Sequence, residues 1–316
     1  PAVTVHRNAS AVLIGSCFSS NVGEALRRRK FNVNLNPQGI QFNPVSISET
    51  LQNCIHRRQW TAQDLCCASY ASSQDIPRSA DDLMFSYHHH SNYSALRESA
   101  DDLLARMNAA TAATGAALRE SNAVVFLTLG TSKIYNRVAT GEVVSNCHRQ
   151  PHRNYTSRLL QASETVTVLE QACLQALAVN NSLRIVFTVS PVRHTRDGIV
   201  ENCRSKAALS CAVSELVSRH PSVMSYFPAY EIMMDELRDY RWYDEDMVHP
   251  STAAVSYIYS LFEQAYMDED TVRLSGDILK IQRSIEHRAM SPRSSAHRRH
   301  LQGVLRSVEA LSRRTP

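Results

Sequence analysis

The chain has 316 residues, 43% of them hydrophobic and 20% charged, the proportions of a globular protein with a sizeable core. No apolar run approaches the roughly 18 residues of a membrane span, and the opening "PAVTVHRNAS" lacks the charged and apolar regions of a secretory leader. The net charge of +4 is uneven, because residues 279–316 hold nine Lys and Arg against Glu286 and Glu309. That tail carries +7 and the body −3, which argues against a nucleic-acid groove on the body.

In chain order, apolar runs at 11–14, 31–35, 123–129, 183–189 and 223–227 read as buried parallel strands. Helical patterns cover 19–30, 99–119, 156–179, 201–219 and 251–266. Their alternation predicts an α/β domain over residues 1–266, built on a central, mainly parallel sheet. Residues 60–98 break the rhythm and read as an insertion or cap, with Cys66-Cys67 and the run His88-His89-His90. Three consecutive histidines in regular structure cannot all face one metal, so no metal is expected there. Residues 267–316 read as a basic helical extension: Ile278, Ile281 and Ile285 mark one helix, broken at Ser291-Pro292, and Leu301, Val304, Leu305, Val308 and Leu311 mark another. These helices are expected to pack on the body, on a second copy or on a protein partner. The eight cysteines form no CxxC pair, which fits reduced thiols in a cytoplasmic protein and no zinc centre.

Chemistry in a parallel sheet gathers at the carboxyl ends of its strands. There the sequence places Gly15-Ser16-Cys17, Pro37-Gln38-Gly39, Gly130-Thr131-Ser132 and Ser190-Pro191-Val192-Arg193-His194, and later Asp246-Met247-Val248-His249. Asp246 and His249, three apart, can share one side of a helical turn, the carboxylate fixing the imidazole tautomer. Ser16, just past a strand, is the natural nucleophile for such a base, and Cys17 reads as its packed neighbour. His148 and His194 are candidates for the pocket lining. Arg193 and Lys206 are candidates for anion binding, against the ordinary alternative of solvated surface.

The segment "IGSCFSSNVGEAL" resembles the signature of the GSCFA-domain family, within the wider SGNH (GDSL-like) hydrolases. "PQGIQFNPVSISETL", "TLGTSKIYN", "GEVVSNCH", "SPVRH", "ENCRSKAAL" and "YFPAYEIMMDELRDYRWYDEDMVHPS" are similar to family blocks in the expected order. The resemblance covers roughly residues 10–265. It implies a three-layer α/β/α, flavodoxin-like fold with a five-stranded sheet, and a cofactor-free serine esterase, with O-acetyl groups on carbohydrate as a reasonable substrate. Ser16 is matched with the serine of Gly-Asp-Ser, and Asp246 and His249 complete the triad. The backbone N–H groups of Ser16 and Gly39 would form the oxyanion hole. The third block carries Gly130-Thr131-Ser132-Lys133 where SGNH enzymes have G-x-N-D, so Thr131 or Ser132, or Asn146 or His148, would supply the third donor. An acyltransferase with the same triad and a non-catalytic scaffold are the alternatives.

Overall fold

The computed structural model describes residues 3–69, 84–95, 98–288, 290–291 and 293–314. In chain order it runs β1 (Ser10–Gly15), α1 (Cys17–Arg28), β2 (Asn32–Leu35), α2 (Pro44–Ile55), β3 (Cys66–Ser69), β4 (Met84–Tyr87) and α3 (Ala100–Ala117). There follow β5 (Val124–Leu129), β6 (Lys133–Arg137), β7 (Val143–Val144), β8 (Tyr155–Leu159), α4 (Ala162–Val179), β9 (Arg184–Val189) and α5 (Ile199–Arg219). The chain closes with β10 (Met224–Phe227), the single turn α6 (Ala229–Glu231), α7 (Thr252–Tyr266), α8 (Glu269–Glu286) and α9 (Ser295–Arg314).

Five strands form the central sheet in the order β10-β9-β5-β1-β2, and every pair is parallel. The order reverses between β1 and β5, and at such a switch point the crevice outside the strand ends is open to a ligand. Alternate residues of β1 serve two apolar clusters. Val12 and Ile14 join Ile47 and Leu51 of α2, Leu169 and Cys173 of α4 and Leu209 and Val213 of α5. Ala11 and Leu13 join Phe18 and Leu26 of α1 and Ile258 and Phe262 of α7. Each such fully buried aliphatic or aromatic side chain stabilises the fold by about 1.5–3 kcal/mol.

All five expected strands are present. The expected helix over 156–179 is instead two elements. Tyr155–Leu159 pairs with β6 as an edge strand, and α4 begins only after Gln161, whose N–H is accepted by Glu164. The helix α2 was not anticipated; Asn43 caps it through Ser46 N–H, and Pro44 starts it. Within the expected insertion at 60–98, residues 70–83 and 96–97 lie outside the described residues; β3 and β4 pair antiparallel there, and Trp60 packs with Leu103 and Met107. Pro292, half of the expected helix break, also lies outside them. The α8 helix is tied to the body by Arg28–Glu286 and by burial of Ile278. On α9, Leu301, Leu305 and Val308 are exposed. No helix among the described residues is long and apolar enough to cross a membrane.

Candidate active site

The site begins where β1 meets α1. Gly15 has φ +152°, and a Cβ there would sit 2.3 Å from the Thr128 carbonyl oxygen on β5. Only glycine lets the chain turn so close to its neighbour strand. Ser16 then caps α1 from a fully buried position. Its N–H donates to Thr128 O at 3.1 Å, and its Oγ accepts from Phe18 N–H at 3.3 Å. Cys17, the first residue of the helix, is half-buried and faces a cavity. Burial pushes its thiol above the ordinary value; the N–H groups of Cys17 and Phe18 and the Lys206 ammonium pull the other way, and Asp246 adds to the rise.

Asp246 and His249 meet, but in a tight turn rather than along a helix, with Met247 at φ +58°. His249 Nδ1 lies 2.6 Å from Asp246 Oδ2, while Asp246 Oδ1 accepts the N–H groups of Val248 and His249, both at 2.9 Å. The His249 N–H, followed by its ring and the Val248 N–H, holds the Asp246 carboxyl at about 2. The turn closes on itself through Asp244 N–H to His249 O and Ser251 N–H to Trp242 O. Arg193 fastens it from the β9 side, donating its N–H to Val248 O and stacking its guanidinium 4.0 Å from the Tyr243 ring. Arg193 is thus a structural clamp on this turn.

Cys17 and His249 line one cavity of about 560 Å³, which continues along α1 past Asn21 and Arg28. Ser16 is not part of that lining. The two backbone donors expected to form an oxyanion hole, Ser16 and Gly39, are engaged already, and so are the N–H groups of Thr131 and Ser132. Besides Ser16 N–H, Gly39 N–H donates to Asn36 O, Thr131 N–H to Phe42 O and Ser132 N–H to Ser205 Oγ. Gly39 is also covered from above, since a Cβ on it would meet Asn92 at 2.9 Å. The Thr131 hydroxyl shares a hydrogen bond with Ser205 Oγ, and Ser132 Oγ is sealed in the interior without a partner.

The remaining candidates divide. Thr131, Asn146 and His194 line a second cavity of about 730 Å³, between the α2 start and the β6–β8 sheet. Asn146 donates to Asn92 Oδ1 and accepts from His148 N–H. His148 is buried, its Nε2 placed between the carbonyl oxygens of His88 and Ser91, and so has a structural role. His194 turns its Nε2 towards Gly130, buried and without a hydrogen bond; burial, then Lys206, lowers it to about 4, so the ring is neutral at pH 7.

Lys206, expected on the surface, is fully buried at the carboxyl edge. Its Nζ donates to Gly130 O at 2.7 Å and Ser190 O at 2.6 Å, joining the ends of β5 and β9. Burial lowers it to about 7. The eight cysteines are all free thiols.

Taken together, this is a parallel α/β protein with a thiol and a carboxylate-oriented imidazole at its switch-point edge. The profile of the GSCFA family matches residues 10–262, and the chain belongs to that family. Among curated proteins and solved structures, none matches it.

Proposed function

We propose that the protein is an acyl hydrolase or acyltransferase of the SGNH kind, with a three-layer arrangement, in which Cys17 is the nucleophile in place of Ser16. One observation carries this reading: Cys17 shares the cavity of His249, and the buried cap Ser16 does not. Counted from the glycine, the third residue of Gly-Asp-Ser also falls on Cys17.

In this reading His249 Nε2 takes the thiol proton while Asp246 fixes the Nδ1–H tautomer and stabilises the imidazolium. The thiolate attacks an ester carbonyl, and the oxyanion forms against the Cys17 N–H at the start of α1, where the helix dipole is positive. The imidazolium returns its proton to the departing alcohol, leaving an acyl thioester. Water, or an acceptor alcohol, attacks the thioester with His249 again as base, releasing the acid or new ester and the free thiol. The raised thiol pKa suits a mechanism in which His249 removes the proton during attack. Small O-acyl esters, as on acetylated carbohydrate, are the proposed substrates by analogy with the superfamily.

The test is p-nitrophenyl acetate in a stopped-flow burst assay. A stoichiometric burst that survives Ser16→Ala and vanishes in Cys17→Ala supports the thiol. The reverse pattern restores Ser16, and no burst in the unmodified chain rejects covalent catalysis. Product analysis with and without an acceptor alcohol separates hydrolysis from transfer.

A further inference from the structure

Two of the three consecutive histidines converge on one point, because the chain leaves strand geometry as they begin. β4 ends at Tyr87, and residues 88–91 form a turn closed by Ser91 N–H to His88 O. His88 packs its ring 4.4 Å from that of Trp60 and stacks on His89 with centroids 5.5 Å apart. His89 and His90 have ring centroids 4.7 Å apart. Ser145 N–H donates to His89 O, which brings the β6–β7 hairpin and its Glu142 alongside. Donor atoms of His89, His90 and Glu142 then all lie within 4.8 Å of one another.

We propose that these three residues hold a divalent transition-metal ion of the zinc type, with water at the remaining position. Two imidazoles and one carboxylate are the donor set of an open zinc site. His89 is also held as a ligand should be, and His90 has a carboxylate beside its far nitrogen. Cys66 Sγ lies 3.3 Å from His89 Nδ1, and Glu49 Oε2 lies 2.8 Å from His90 Nδ1. His89 Nε2 is left 3.7 Å from Glu142 Oε2. A partner on the far nitrogen fixes ring orientation and raises ligand basicity. Bonds of about 2 Å to zinc set donors roughly 3.3–3.5 Å apart. Reaching that spacing needs a movement of about 1 Å, and the half-exposed Glu142 beside the β6–β7 turn has the freedom to make it.

The bound ion ties the hairpin to the turn above Gly39. Ser91 Oγ and Asn92 N–H both donate to Gln38 O, and Tyr93 OH donates to Asn36 O. The same hairpin lines the larger cavity through Val144, Ser145 and Asn146. The metal therefore fixes that cavity's wall, and it has no part in the proposed thiol chemistry.

Titration of the full chain with Co²⁺ tests this independently of any catalytic activity. The expected result is one ion per chain with tetrahedral visible absorption bands, displaced by Zn²⁺, and a higher melting temperature with Zn²⁺. Glu142→Gln, at a half-exposed position, and His89→Ala each abolish the bands. Glu49→Gln weakens binding about tenfold. Cys17→Ala, and His300→Ala on α9 far along the chain, bind as the parent does. Absence of saturable binding in the folded chain, or bands that persist in Glu142→Gln, overturns the site.

Discussion

The two cavities at the carboxyl edge are built from different materials. The one beside α1 brings a half-buried thiol to an imidazole whose orientation is set by a carboxylate 2.6 Å away, on a turn open to solvent. The one beneath the β6–β8 sheet is larger and lined by Thr131, Tyr135, Asn146 and His152, and its polar groups are largely bonded to protein: Lys133 to Asp197, Arg196 to His152, Asn146 to Asn92. A reactive site needs a group whose proton can leave and a base that is free to take it. A binding surface needs groups held still. On the proposed function, the smaller cavity is the place of reaction and the larger that of recognition.

That contrast is open to attack, from the largest effect to the smallest. His249→Ala should slow acylation of Cys17 by roughly 100- to 10,000-fold, the usual worth of a general base. Asp246→Asn should cost less, since it leaves the base in place with a poorly fixed tautomer; equal acylation rates in all three proteins would dissolve the dyad. Between the cavities, Lys206 should make stability depend on pH. Its folded value of about 7 lies below the 10.5 of a free lysine, so between them the unfolded chain binds more protons. Stability should therefore rise with pH across that window, by at most about 1.4 kcal/mol per pH unit. Below it, where both states are protonated, the cost of the buried charge is fully present. Urea melts of Lys206→Met from pH 7 to 9.5 should lack that rise. In the larger cavity, Tyr135→Ala should raise KM and leave kcat unchanged, and a fall in kcat alone would move chemistry to that side. Least of all, Ser16→Ala should lower stability by about 1 kcal/mol through loss of a helix cap, as read from the denaturation midpoint.

The middle of the central sheet was legible because β1, β5 and β9 are short apolar runs, buried almost throughout and bounded by turn residues. Edge elements carried weaker signals. Tyr155–Leu159 is polar on its exposed positions and merged with the helix after it, although Gln161 and Glu164 already form a capping pair. Asn43-Pro44 was a readable helix start that the apolar periodicity did not bring out. Asp246 and His249 were legible as a pair, because three-residue spacing suffices in a tight turn as well as in a helix. Which of Ser16 and Cys17 faces outward was harder. A cap residue turns inward to bond its own helix, so of two adjacent small residues it is Cys17 that meets the cavity. Which backbone N–H groups stay unbonded could not be read at all, since a sequence does not show which of them neighbouring carbonyls already hold. The convergence of His89 and His90 on Glu142 was not legible, because it depends on a turn that begins at His88 and on a hairpin about 50 residues away.

The clasp around His249 has a consequence for how this molecule can be altered. Ser251 N–H meets Trp242 O at 2.7 Å, Tyr243 bridges Pro250, and Arg193 N–H holds Val248 O. The stretch between is a cassette whose two ends are fastened to each other before they reach the rest of the protein. Doubling the length of a loop with pinned ends costs only about 0.6 kcal/mol. Insertions and grafts at 244–247 would thus stay local, so the base and its surroundings can be rebuilt while the sheet, α1 and the thiol stay as they are.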